Sequence, residues 1–220
     1  MELAEESQNL DKWLSILPLS EQPTEGIPSS AVYDQRGPIY FLSHKAALSY
    51  AYYVVARIMQ CNSLLINLQN RTPQIIGHEC HEEEYWVQVL LRLATGTNIR
   101  TSLTENNYTI GFTGLLLAAI LRCQNISLCV QIQDWLATLA DLQPTEEGAF
   151  PVYQTLGVVK AIIAQKHLGR DVFGVTLPQD DGGGFPKFTA YSSQSITKLV
   201  FYGKSRITGD LFVECATIQM

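Results

Sequence analysis

Charge is scarce in this sequence. Of 220 residues, only 16% are Asp, Glu, Lys or Arg, against 46% that are hydrophobic. That balance excludes a disordered chain, and a chain of this length buries one substantial core, most simply as one domain. Positive charge is the scarcer sign: 15 Lys and Arg face 21 Asp and Glu, a formal net charge of −6, and the basic residues are dispersed. Binding nucleic acid takes a positive surface that displaces counterions from phosphates, so no direct nucleic-acid contact is expected. Long apolar runs are missing too. The stretches Ile110 to Leu121 and Ala46 to Cys61 are too short or too interrupted to cross a bilayer core of about 30 Å, which predicts core helices and no membrane span. The first ten residues are acidic and lack the basic-then-apolar order of a secretory signal. The expectation is a chain inside the cell, cytoplasmic or nuclear, and the sequons at Asn70, Asn107 and Asn125 lose their meaning there.

Paired cysteines are also lacking. Cys61, Cys80, Cys123, Cys129 and Cys215 are odd in number and contain no CxxC, which predicts buried free thiols. The sequence holds no GxGxxG, no Walker lysine loop and no GxSxG elbow, so phosphate-cradling and that route to hydrolysis are not indicated. No cofactor is called for.

What is present is helical periodicity. The best-marked helix covers about 150 to 168: Pro151 suits its first turn, Gly169 closes it, and Val152, Leu156, Val159 and Ile163 form one face. Glu146 and Glu147 ahead of it and Lys166, His167 and Arg170 at its end are placed to complement its dipole. Ser43 is a predicted N-cap for a helix from His44 to Cys61 or Leu65 that is apolar round nearly its whole circumference. Gly96 closes a helix that starts with the acidic turn Glu82 to Glu84. Arg100 to Ile110, rich in Thr and Asn, reads as a connection. An apolar helix opened by Gly111 or Thr113 and a second carrying Leu128, Ile132, Trp135, Leu139 and Leu142 form a helical hairpin with its corner at Asn125 to Ser127. Thr197 to Tyr202 and Leu211 to Cys215 have the composition of a terminal β-hairpin or extended flap. The fold class is thus mainly α: an orthogonal helical bundle over residues 38–220, with an N-terminal arm over residues 1–37.

Few residues carry candidate chemistry. Arg57 is the only charge between His44's neighbour Lys45 and Cys61, one turn after Tyr53 on the same face. A buried guanidinium needs an anion or several carbonyls, with an internal Glu or Asp as one reading and an anionic or enolic ligand that also meets Tyr50, Tyr53 and Trp86 as the other. His78, Cys80 and His81 have ligand chemistry, but their spacing matches no closed zinc motif, so no metal is expected. His78 and His81 remain candidates for general acid–base work because imidazole titrates near neutrality. Asp180 and Asp181, ahead of three glycines, are further acid–base candidates, with turn chemistry as their plainer reading. No second acidic motif supports diphosphate binding through metal.

The run IQDWLATL, followed by PTEEGAFPVYQTLGVVKAI, GRDVFGV, DDGGGFPKF and YSSQSI, resembles the C-terminal region of fungal zinc binuclear-cluster transcription regulators. The similarity extends back to about Gly37 through GPIYFLSHKAALSYAYYVVARI. The resemblance implies a helical effector or regulatory body. In those regulators six clustered cysteines hold the zinc of the DNA reader, and five scattered cysteines depart from that pattern. Two readings stay open, a fragment of a longer regulator or a stand-alone product that kept the body and lost the reader, with Met1 and the leader favouring the second as an expectation. Two functions follow as expectations: a regulatory module that binds a small apolar metabolite, a protein partner or a second copy of itself, or a repurposed secondary-metabolism enzyme. The second would be a cyclase, isomerase or dehydratase that shapes a polyketide or terpenoid in a dry pocket.

Overall fold

The computed structural model describes residues 3–24, 37–61, 81–106, 110–142, 146–147, 150–178 and 196–218. These residues form seven α-helices, followed in space by a small antiparallel sheet near the C-terminus. The helices are α1 (Leu3–Ser15), α2 (His44–Gln60), α3 (His81–Gly96), α4 (Ile99–Glu105), α5 (Phe112–Arg122), α6 (Ile126–Ala140) and α7 (Val152–His167). A two-residue ladder, β1 (Glu146–Glu147) with β2 (Phe150–Pro151), stands just before α7. The sheet is β3 (Arg170–Thr176), β4 (Lys198–Ser205) and β5 (Leu211–Thr217), in the order β3-β4-β5.

Local chemistry accounts for the helix boundaries. The Ser43 side chain accepts from Ala46 N at 3.2 Å, the N-cap bond that the sequence predicts. Pro151 occupies the N-cap of α7, and Gly169 ends that helix with φ +73°, a left-handed conformation in which a Cβ would crowd the backbone. The Thr- and Asn-rich stretch after Gly96 is not a plain connection, because it contains α4. Asn98 accounts for it: its Oδ1 accepts from Arg100 N at 3.0 Å and Thr101 N at 3.4 Å and so starts a helix. The hairpin corner lies at residues 123–125 rather than 125–127, because Asn125 is the cap of α6 and not a corner residue. The C-terminal hairpin exists as β4 and β5 and is joined by a strand the sequence did not mark, β3, which pairs with β4 from Arg170↔Ser205 to Thr176↔Val200.

One hydrophobic cluster runs from Leu17 to Ile218. Helix α2 packs on α3 and α5, α6 lies along α7, and α7 contacts α5 and β3. The stripe that the sequence assigns to α7 is buried as expected, with Val152, Leu156, Val159 and Ile163 all in the core. Burying one such side chain contributes about 1.5–3 kcal/mol, which explains why the stripe and not local propensity sets the helix orientation. No helix among the described residues is long and apolar enough to cross a membrane.

Candidate functional site

Two constellations stand out, an aromatic cup around Arg57 and a pair of buried charges at the ends of α5. The cup is built by α2 and α3. On α2, Tyr50 and Tyr53 are three residues apart and share a face with Arg57, and their rings meet at 5.4 Å between centroids. Trp86 of α3 meets Tyr53 edge-on at 5.9 Å and Tyr85 at 5.1 Å. Four residues singled out from the sequence, Tyr50, Tyr53, Arg57 and Trp86, thus belong to a single patch of the structure.

Helix α1 covers this patch. Trp13 stacks on Tyr53 at 5.4 Å with 21° between the ring planes, and it also reaches Tyr50 at 6.5 Å. Ser7 Oγ accepts from Arg57 Nη1 at 2.8 Å, and Asp11 forms an ion pair with Arg57 Nη2. Arg57 Nε also donates to the Tyr53 hydroxyl at 3.1 Å, with the guanidinium over the same ring. The anion that the buried guanidinium needs is therefore supplied within the chain, by Asp11 of the N-terminal arm. That acid is 66% exposed on its side chain while Arg57 is 12% exposed, so water already competes for the pair.

Burial raises the Tyr50 phenol well above the ordinary range, with the neighbouring Tyr53 and Tyr85 phenols adding to the effect, and burial raises Tyr53 in the same way. Both phenols stay protonated near neutrality and can donate. Trp86 adds one more donor: its buried indole N–H has no hydrogen-bond partner among the described residues. An unpaired buried donor costs about 1–3 kcal/mol, and this one belongs to the ring that meets Tyr53 and Tyr85.

The second constellation corrects the dipole reading of the sequence. Glu147 does not serve α7. It is buried, and its carboxylate lies at the start of α5, whose N-cap is Gly111 and so has no side chain to offer. Oε1 accepts from Ser102 Oγ, from Asn106 Nδ2 at 2.9 Å and from Phe112 N at 3.1 Å, while Oε2 accepts from Thr113 N at 2.7 Å. Asn106 Oδ1 in turn meets His44 Nε2 at 2.9 Å. A Cβ at position 111 would collide with the Glu147 carboxyl carbon, so glycine is required there by close approach. At the opposite end of α5, Lys166 is buried as well and donates from Nζ to the carbonyl oxygen of Cys123, the C-cap, at 2.7 Å. The carboxylate ahead of α7 and the ammonium at its end thus hold α5 by both poles, across about 16 Å of helix.

Sequence reasoning missed Glu147, Ser102, Asn106 and His44 as a connected group. The available signal was Gly111 itself: an apolar helix opening without Ser, Thr, Asp or Asn leaves amides for a distant acceptor to fill. Of the acid–base candidates, His78, Asp180 and Asp181 lie outside the described residues, and His81 is placed only as the first residue of α3. No group of three or more His, Cys, Asp or Glu suited to a metal ion occurs among the described residues. A shallow hollow of about 300 Å³ opens between α3 and α6, lined by Pro38, Gln88, Leu91, Arg92, Thr95 and Gln131, none of them a sequence-derived candidate.

Fold and site together describe a mainly helical protein with a capped aromatic–arginine cup. No family model matches the chain, and no curated protein or solved structure matches it.

Proposed function

We propose that this protein is a non-enzymatic regulatory module, an orthogonal helical bundle working inside the cell, whose aromatic cup binds a small, planar, largely apolar metabolite carrying an acidic or carbonyl oxygen. The observation that carries this reading is the unpartnered Trp86 N–H, on a ring that meets Tyr53, whose hydroxyl in turn accepts from Arg57. An aromatic ligand stacked on Tyr53 would take the place of Trp13, and its oxygen would take the place of Asp11 on Arg57. Helix α1 is then a cover whose position reports occupancy, since a ligand that competes with it shifts the population towards the uncovered form. The resemblance to the effector region of fungal zinc-cluster regulators supports the same role, with the cover offering a surface that a protein partner or a second copy reads.

Titration with anthraquinone-2-carboxylate, followed by Trp fluorescence and by the melting temperature, tests the proposal. Saturable binding that weakens in Arg57→Ala and Trp86→Phe is the expected result. Binding that ignores both substitutions would refute the cup as the site. Turnover of polyketide or terpenoid intermediates faster than their spontaneous reaction would instead favour the enzyme reading, with His78, His81, Asp180 and Asp181 as its first candidates.

A further inference from the structure

Two thiols with no part in the aromatic cup meet inside the corner between α5 and α6. Cys123 is the C-cap of α5 and Cys129 lies just inside α6, whose N-cap is Asn125. Both residues are fully buried. Cys129 Sγ lies 3.9 Å from the Cys123 carbonyl oxygen, and Cys123 Sγ donates to Asn125 O at 3.5 Å. Lys166 Nζ donates to that same Cys123 carbonyl, so ammonium and sulfur converge on one oxygen. Buried cysteines are ordinarily inert, but these two sit in opposite fields. Cys129 is near the positive pole of α6, which favours thiolate, while the Lys166 ammonium on the Cys123 carbonyl acts on both thiols. Cys123 is at the negative pole of α5, which favours thiol. The directions of their acidities agree. Its interaction with the Cys123 thiol and, to a lesser degree, the Lys166 charge lower Cys129, while the same interaction and then burial raise Cys123.

The geometry points to a peroxide-sensitive dithiol in which Cys129 is the attacking sulfur, Cys123 resolves, and the resulting Cys123–Cys129 disulfide locks the corner between α5 and α6. The Cys129 thiolate attacks one oxygen of hydrogen peroxide, the O–O bond breaks, and Cys129 becomes a sulfenic acid. The departing hydroxide takes the Cys123 thiol proton and leaves as water. Cys123 thiolate then attacks the Cys129 sulfur and the S–O bond breaks. The second hydroxide leaves as water with the proton that Cys129 had released. Each sulfur gives up one electron, and the two peroxide oxygens take them up. Both thiols are fully buried, so any oxidant reaches them only when the corner opens locally, and a small peroxide needs far less opening than a bulky disulfide such as oxidised glutathione.

Trypsin cuts after Arg122 and next after Lys160, so both cysteines, and no others, share one peptide. The full-length folded protein is treated with hydrogen peroxide, denatured in alkylating agent and digested. The expected peptide carries no alkyl group and is lighter by two hydrogens, whereas treatment with oxidised glutathione leaves it doubly alkylated. A doubly alkylated peptide at peroxide doses that already oxidise the exposed Cys215 would overturn the inference. Lys166→Met is expected to slow disulfide formation, because the charge that draws Cys129 towards thiolate is lost, and Lys166→Arg to restore the rate. If Lys166→Met fails to fold, Cys123→Ser decides: Cys129 then stops at the sulfenic acid and is labelled by dimedone, and absence of label refutes the assigned order of attack.

Discussion

Replacing Glu147 by Gln changes charge and donor pattern while keeping shape, so it isolates what the buried carboxylate does for α5. The amide can be oriented to keep an oxygen towards Ser102, Asn106 and Phe112 N, but its NH₂ then faces Thr113 N–H, the donor that Oε2 now accepts from at 2.7 Å. One buried backbone donor is left unsatisfied, at about 1–3 kcal/mol. The surviving bonds lose charge assistance, and the positive pole of α5 loses its counter-charge, worth about 0.3–1 kcal/mol and more when buried. Relief of burying a carboxylate offsets part of this, and the expected net loss is about 3 kcal/mol, or about 6–12 °C in Tm for a chain of this size. Calorimetry gives the global figure, and amide hydrogen exchange at Phe112 and Thr113 gives the local one, because loss of the cap exposes those two amides selectively. A variant within about 1 kcal/mol of the parent, with both amides still protected, would refute the view that Glu147 caps α5.

Three further outcomes follow from other sites. Cys61 is pushed up from an ordinary 9.0 to about 12, first by burial and then by the carboxylates of Glu82 and Glu83. Its alkylation by iodoacetamide at pH 8 should be about thirty- to fifty-fold slower than that of an ordinary thiol, since thousandfold less thiolate is partly offset by greater nucleophilicity, and a rate matching that of exposed Cys215 would contradict it. Asp171 is raised above its ordinary 3.8 by burial, although Arg206, Lys166 and Lys204 pull the other way. A raised folded-state value means that its contribution is complete below 3.8 and is lost as pH rises through the folded value. The urea stability of the parent relative to Asp171→Asn should therefore decline with rising pH, and a difference that grows would sink the assignment. Asp11→Ala should cost at most about 1 kcal/mol, because the acid is mostly exposed, yet it should tighten binding of the planar anion by loosening α1. Unchanged or weaker binding would argue against α1 as a cover.

The helices were legible because their signals are local. Ser43, Pro151 and Gly169 act within one turn, and the α7 stripe repeats often enough to define a face. Short elements were harder. Helix α4 has seven residues and one cap, and β3 has no meaning until β4, its partner, is made about thirty residues later. At the site, the Tyr53–Arg57 pairing follows from helical spacing, but nothing in a periodic pattern says that Asp11 and Trp13 will close over it. Glu147 and Lys166 were assigned to α7 for a related reason. Dipole complementarity identifies the sign of charge wanted at a helix end, and it does not say which helix.

Helix α5 is held at its two poles by Glu147 and Lys166, both of which lie later in the chain. On the ribosome, therefore, this apolar segment emerges well before either charge that secures it. Between the synthesis of Arg122 and that of Glu147, its leading amides and trailing carbonyls must be served by water while its buried face looks for partners. Glu147 supplies the acceptor for the leading end before α7 begins, and the donor for the trailing end arrives only with Lys166 in the last turn of α7.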